Sequence, residues 1–130
     1  MKEYCQNSFF QEVECMYKIP MATLIAILKT DVTTQDTCVE LNFCIDNDLE
    51  YVDCWLGKMP DKIAKDKEVY WYGLVPDGSQ AYDYEQLDDF LEAKVFRGKN
   101  IYEVFDTITL FSLNGSSIEE MLPYFDIQSN

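Results

Sequence analysis

The stretch VELNFCI, residues 39 to 45, alternates apolar side chains at its odd positions with Glu40, Asn42 and Cys44 at its even ones. A period of two is typical of a β-strand that buries one face. The next three residues, Asp46-Asn47-Asp48, are turn formers. This region therefore predicts a strand with its odd-numbered residues in a core, followed by a turn.

The segments around this strand predict an antiparallel sheet. Residues 51–56 form a candidate partner strand, and residues 69–75 form a third, rich in aromatic and β-branched side chains and ended by Pro76-Asp77-Gly78. Residues 107–113 read as a further strand before the turn dipeptide Asn114-Gly115. The apolar run at 22–28 fits a central strand or a buried helical turn, and we expect a strand.

Helical signals lie at both ends of the chain. Ser8 and Gln11 resemble a capping box for a helix over residues 8–18, before Pro20. A second helix is predicted from an Asp83 N-cap, and short helices are predicted after Asn100 and Ser117. The predicted class is α+β: one acidic domain over residues 1–130, with a sheet of about four to five strands, an N-terminal helix and short C-terminal helices.

Composition narrows the choice of partners. The 130 residues include 24 Asp and Glu against 10 Lys and Arg, a net charge of −14, while 48% are hydrophobic and 15% aromatic. The apolar share distinguishes a folded domain from a disordered acidic tail. Because nucleic acids and anionic membranes are gripped by Lys and Arg, this charge argues against direct binding to either.

The residue types present exclude much chemistry. Without histidine there is no Ser-His-Asp or Cys-His site and no histidine metal ligand. The five cysteines form no CxxC pair, so we expect reduced, buried thiols and no zinc site. No secretory signal or membrane-spanning run is evident, and we expect a cytoplasmic protein.

One segment looks like a calcium loop. Residues 46–50 place oxygen ligands at alternate positions, but Tyr51 stands where an EF-hand requires glycine and Gly57 where it requires glutamate. A hairpin turn explains the segment better. We therefore expect no metal, no cofactor and no catalytic residues. A carboxylate hydrolase with a metal stays open as an alternative and requires divalent-ion binding.

The negative charge is grouped. Residues 31–53 contain seven acids and no base, and residues 77–92 contain six acids and no base. On the predicted helix after Asp83, four carboxylates fall on one stripe. The bland interpretation is a solvated surface, and the sharper one is a partner-binding face. The residues predicted to form that face are Asp83, Glu85, Asp88, Asp89, Glu92, Tyr82, Asp46, Asp48, Glu50 and Asp53.

A small histidine-free α+β domain with two cation-free acidic blocks resembles the inhibitors that phages and mobile elements encode, including anti-restriction and anti-CRISPR proteins that mimic DNA. Acidic immunity proteins against basic nucleases share this profile. The resemblance is one of size and composition, so it transfers no residues. It implies a non-enzymatic inhibitor that binds a basic nucleic-acid-handling protein.

An alternative from another class is a structural module that forms homo- or hetero-oligomers. The predicted strand near residues 68–74 is apolar on both faces and needs cover on both. Salt-resistant self-association would favour this alternative.

Overall fold

A computed structural model of the chain describes residues 17–125. Its elements in chain order are α1 (Met21–Leu28), β1 (Val39–Ile45), β2 (Cys54–Pro60), β3 (Glu68–Gly73), β4 (Ala81–Tyr84), α2 (Leu87–Glu92), α3 (Ile101–Val104), β5 (Ile108–Leu113) and α4 (Ile118–Met121). One 3-10 turn, Phe105–Thr107, precedes β5, and another, Leu122–Phe125, follows α4. The α+β class and the antiparallel sheet are confirmed.

The five strands lie in the order β4-β3-β2-β1-β5, all antiparallel. β1 lies inside the sheet with a buried face, as its alternation predicts. Val39, Leu41 and Phe43 are fully buried, and they pair with Lys58, Leu56 and Cys54 of β2. Cross-strand partners share a face, so these residues define the core face of the sheet.

The run at 22–28 is helical, and the expectation of a strand there was wrong. Leu24, Ile27 and Leu28 are buried at helical spacing, whereas Ala22 and Ala26 are exposed. The run is therefore apolar in composition but two-sided in space. Alanine is a strong helix former that lies at little cost on an exposed helix face.

Strand β2 lies three residues further along the chain than predicted, at 54–60 rather than from Tyr51. It contains Gly57, where a Cβ would overlap the carbonyl oxygen of Val39 and approach the Trp71 ring at 2.8 Å. Glycine at this position lets the indole lie across the strand on the face opposite the core.

The predicted helix start at Asp83 was also wrong. Asp83 and Tyr84 belong to β4, and α2 begins at Leu87 after a Gln86 N-cap. Tyr82 and Tyr84 pair with Tyr72 and Tyr70 of β3. These alternating tyrosines have the strand period, which a helical reading of the same residues overlooks.

The two later caps are confirmed. Asn100 and Glu103 form a reciprocal capping box at α3, and the Ser117 hydroxyl accepts the Glu120 N–H at α4. The predicted helix at 8–18 lies largely outside the described residues. At its described end, Tyr17 is extended and pairs with Leu110 of β5.

Two general features complete the fold. None of the helices formed within residues 17–125 has the length and apolar character needed to cross a bilayer. Of the cysteines in that range, Cys44 and Cys54 are buried and Cys38 is half-buried.

Candidate functional site

An open cleft of about 780 Å³ lies between the turn after β1, strand β4 and the end of α2. The turn contributes Glu50 and Tyr51, and the helix contributes Asp89 and Glu92. The strand side contributes Gln80, Tyr82 and Tyr84, and the segment after the helix contributes Lys94 and Arg97. The cleft thus combines carboxylates, three tyrosines and two cations.

Phe90 orients the helical wall of the cleft. Its ring stacks on Tyr72 at 4.1 Å and meets Tyr84 edge-on, and its backbone carbonyl accepts the Tyr72 hydroxyl at 2.9 Å. With Phe90 fully buried, Asp89 and Glu92 remain exposed. Within residues 17–125 neither of these two carboxylates forms an ion pair.

Asp48 organises the opposite wall. One carboxylate oxygen accepts the backbone N–H groups of Glu50 and Tyr51 at 2.9 and 3.1 Å, which closes a tight turn. The other oxygen lies 2.6 Å from a terminal nitrogen of Arg97. Asp48 therefore stabilises its own turn and binds a cation from a remote segment.

Arg97 projects from a two-residue hairpin. Arg97 and Gly98 have φ of 54° and 85°, and Phe96 and Lys99 exchange two backbone hydrogen bonds around them. Phe96 is buried and meets the Tyr51 ring edge-on. The hairpin is thereby fixed to the core, and its arginine extends over the surface.

The Arg97 guanidinium joins two carboxylates above an aromatic ring. It lies 2.5 Å from Glu50 and 4.4 Å from the centre of the Tyr51 ring, a cation–π arrangement. Glu50 also accepts the Gln80 amide at 3.1 Å, and Gln80 in turn accepts the Tyr51 hydroxyl at 2.7 Å. These contacts connect the turn to the hairpin and to the start of β4.

The same contacts shift the pKa values of Asp48 and Arg97. The hydrogen bonds from Arg97, followed by those from the Tyr51 and Glu50 N–H groups, hold the pKa of Asp48 below its usual value despite partial burial. Asp48 and Glu50 raise the pKa of Arg97. Burial raises the pKa of Tyr51 and Tyr84, so both remain protonated phenols at neutral pH.

The predicted face is brought together only in part. Four of its residues line the cleft: Glu50, Tyr82, Asp89 and Glu92. Asp48 does not line the cleft itself but binds Arg97, which does. Asp88 is exposed on α2 but does not line the cleft. The convergence joins both acidic blocks of the sequence, since Glu50 belongs to the first and the helical carboxylates to the second.

The other predicted residues lie elsewhere. Asp83 pairs with Trp71 on the sheet face opposite the core, and Glu85 lines a separate depression with Lys67 and Tyr70. Asp46 binds Lys18 and the Thr109 hydroxyl, and Asp53 accepts the Asn42 amide. The predicted four-carboxylate stripe is therefore wrong, because α2 starts after Glu85 and is only 6 residues long.

The basic side chains lie closer to the acidic ones than their separation in the sequence indicates. The two acidic blocks contain no cation in sequence, but their carboxylates line the same cleft as Lys94 and Arg97. Lys58, which lies near Lys62, Lys65 and Lys67 in the sequence, is buried on the core face of the sheet. Arg97 and Gln80 are residues of the site that sequence reasoning missed, and the turn-forming Arg97-Gly98 pair is the local signal that could have found one of them.

The segment at 46–50 does not converge as a calcium loop would. Asp46 faces Lys18, whereas Asp48 and Glu50 face Arg97. In the part of the chain that the structure describes, no group of three or more Cys, Asp or Glu side chains is arranged to hold a metal ion.

Comparison of the chain with family models, curated proteins and solved structures found no match. The function of the cleft is therefore inferred from its own side chains and their contacts.

Proposed function

We propose that this protein is a non-enzymatic inhibitor of the kind that phages and mobile elements encode. It binds a basic nucleic-acid-handling protein, a nuclease or CRISPR effector, and blocks that protein's nucleic-acid-binding surface. The observation that carries the proposal is the convergence of Glu50, Asp89 and Glu92, from two separate acidic blocks, around one tyrosine-lined cleft.

The two walls of the cleft differ in their availability to a partner. Arg97 already pairs with Asp48 and Glu50, so this group retains one net negative charge and both carboxylates already have a cation. Asp89 and Glu92 are exposed and have no ion-pair partner within residues 17–125. A partner's Lys or Arg side chains would therefore pair with the helical wall, in place of the phosphates they otherwise hold.

The tyrosines supply the second component of recognition. Tyr82 and Tyr84 are half-buried beside the helical carboxylates. Tyrosine is favoured at interfaces because it combines large contact area with a polar tip and only two side-chain torsions. A guanidinium that enters the cleft would meet carboxylate and ring together, as Arg97 does on the opposite wall.

Affinity capture tests the proposal. The immobilised wild-type chain is compared with Asp89→Lys/Glu92→Lys and with the control Asp66→Lys/Glu119→Lys, which carries the same net charge. Both control sites are exposed and outside the cleft, and Glu119, like Asp89, lies in the first turn of a helix. We expect the wild type and the control to retain a basic nucleic-acid-binding protein from a lysate of the source organism.

The cleft variant is expected to lose that protein. Because steering by exposed charges is screened, retention should also weaken as salt rises. Equal retention by all three chains would overturn the assignment of the cleft, and retention of no nucleic-acid-binding protein would overturn the function.

A second candidate function is an oligomeric assembly module. Trp55 and Trp71 are half-buried diagonal neighbours on the sheet face opposite the core. The Trp71 indole nitrogen is shielded and has no hydrogen-bond acceptor among residues 17–125. Sedimentation at low and high salt separates the two candidates, because self-association through tryptophans would persist at high salt, whereas the inhibitor would stay monomeric.

A further inference from the structure

Leu49 is the most exposed large apolar side chain among residues 17–125, at 97%. It lies between Asp48 and Glu50, the two carboxylates that bind Arg97. Single exposed apolar residues are common on protein surfaces, so exposure alone assigns nothing to this leucine. Leu49 differs from such residues in the contacts that hold the turn on which it lies.

The turn that carries Leu49 is held from three directions. Asp48 accepts the backbone N–H groups of Glu50 and Tyr51 within the turn. Arg97 binds the carboxylates on both sides of Leu49, and Gln80 binds Glu50 at 3.1 Å. The leucine is therefore presented on a turn already ordered by contacts with distant segments.

Ile63 provides a matched comparison within the chain. It is 94% exposed, and Asp61 accepts its backbone N–H and that of Ala64, as Asp48 does for the Leu49 turn. The described hydrogen bonds of the Ile63 turn stay within residues 61–67. Its exposed neighbours include Lys62 and Lys65, so its surroundings are basic.

We infer that Leu49 is an apolar anchor for the partner, inserted into an apolar socket that is bordered by basic side chains. The inference rests on the proposed function and specifies its partner. The basic border follows from charge complementarity with Asp89 and Glu92, which line the cleft that Glu50 and Tyr51 also line. Because the turn is already ordered, it loses less conformational entropy on binding, and more of the free energy gained by burying the leucine contributes to affinity.

Arg97 acts as a positioning residue in this arrangement. It pairs with the carboxylates on both sides of Leu49, which offsets one of their two negative charges, and it ties both side chains to the Arg97 hairpin. A lysine at this position would keep the charge but lack the planar fork that spans two carboxylates.

The test uses two probes: the protein retained by the wild-type chain, and the peptide nona-arginine, which offers charge without a socket. Affinities are measured for Leu49→Ser and Ile63→Ser in the full chain. We expect Leu49→Ser to weaken the retained protein by about tenfold or more, the range given by full burial of a leucine. It should leave nona-arginine affinity unchanged, and Ile63→Ser should change neither.

The outcomes separate the two proposals. Equal effects of Leu49→Ser and Ile63→Ser on the retained protein would overturn the anchor, while loss of both probes on Asp89→Lys/Glu92→Lys would still support the cleft. Retention of no protein by the wild type would overturn both proposals.

The positioning role has its own readout. Arg97→Lys should lower the backbone amide order parameter of Leu49 and speed dissociation of the retained protein. An unchanged order parameter would contradict the role assigned to Arg97.

Discussion

Two cations, Lys58 and Arg97, each lie over a tyrosine ring and bind carboxylate, yet their surroundings are opposite. The Lys58 side chain is 2% exposed and that of Arg97 is 53% exposed. Lys58 binds the carbonyl oxygens of Leu28 and Thr30 at 2.8 and 2.5 Å and Glu68 at 3.1 Å. Its three donors therefore have three acceptors, as burial of an ammonium group requires.

The difference in exposure indicates that Lys58 stabilises the fold, whereas Arg97 belongs to a surface that a partner can reach. Lys58 fastens the C-terminal end of α1 to β2, and the second carboxylate oxygen of Glu68 holds the Val32 N–H at 3.3 Å. This site is closed and has no capacity for a partner. The Arg97 site is open, lies on the same cleft as the exposed Asp89 and Glu92, and orders a turn at the surface. We therefore expect substitutions at Lys58 to change stability and substitutions at Arg97 to change chiefly binding.

The largest expected effect is that of Lys58→Met. It leaves Glu68 without its cation and the Leu28 and Thr30 carbonyls without the Lys58 donor, which should cost about 3 kcal/mol of unfolding free energy. Urea denaturation measures the change, with the exposed Lys62→Met as control. A loss no larger than that of the control would show that the buried contacts are not structural.

Arg97→Ala should destabilise the protein less than Lys58→Met does, because exposed ion pairs are screened by solvent and lose side-chain entropy. The same denaturation measurement checks it, and the effect should shrink in about 0.5 M salt. If Arg97→Ala destabilised the protein as much as Lys58→Met, the contrast between closed and open sites would fail.

The smallest effect is the pH dependence of Asp48→Asn. Because Arg97 lowers the folded pKa of Asp48 from 3.8, the ionised carboxylate stabilises the fold fully above that unfolded value. This contribution is lost as pH falls through the folded pKa. The gap in unfolding free energy between wild type and variant should be constant near neutral pH and close in acid. A gap that widened on acidification would have the wrong sign.

The sequence predicts the local elements and little of what joins them. The alternation at 39–45 identifies β1 because its period depends on consecutive residues alone. The run at 22–28 was misassigned because counting alanine as apolar hid its exposed side. Asp83 and Tyr84 were misassigned because short strands and short helices share capping and spacing signals, and pairing with β3 decides between them.

The candidate site shows the same limit. Acidic blocks at 31–53 and 77–92 were visible, and the structure brings Glu50 near Asp89 and Glu92. Arg97, however, binds Asp48 across 49 positions of sequence. No local pattern encodes such a contact, so the pairing of both carboxylates with Arg97 and the ordering of the Leu49 turn emerge only from the fold.

The central claim, that the cleft competes with nucleic acid for a basic protein, is tested most directly by fluorescence anisotropy. The protein retained in affinity capture is titrated into a labelled duplex of about 20 base pairs at fixed salt. The titration is repeated at increasing concentrations of this chain. Wild type and Asp66→Lys/Glu119→Lys should raise the apparent Kd for the duplex in proportion to their concentration. Asp89→Lys/Glu92→Lys should not. An unchanged Kd in the presence of wild type, or equal competition by the cleft variant, would contradict the account.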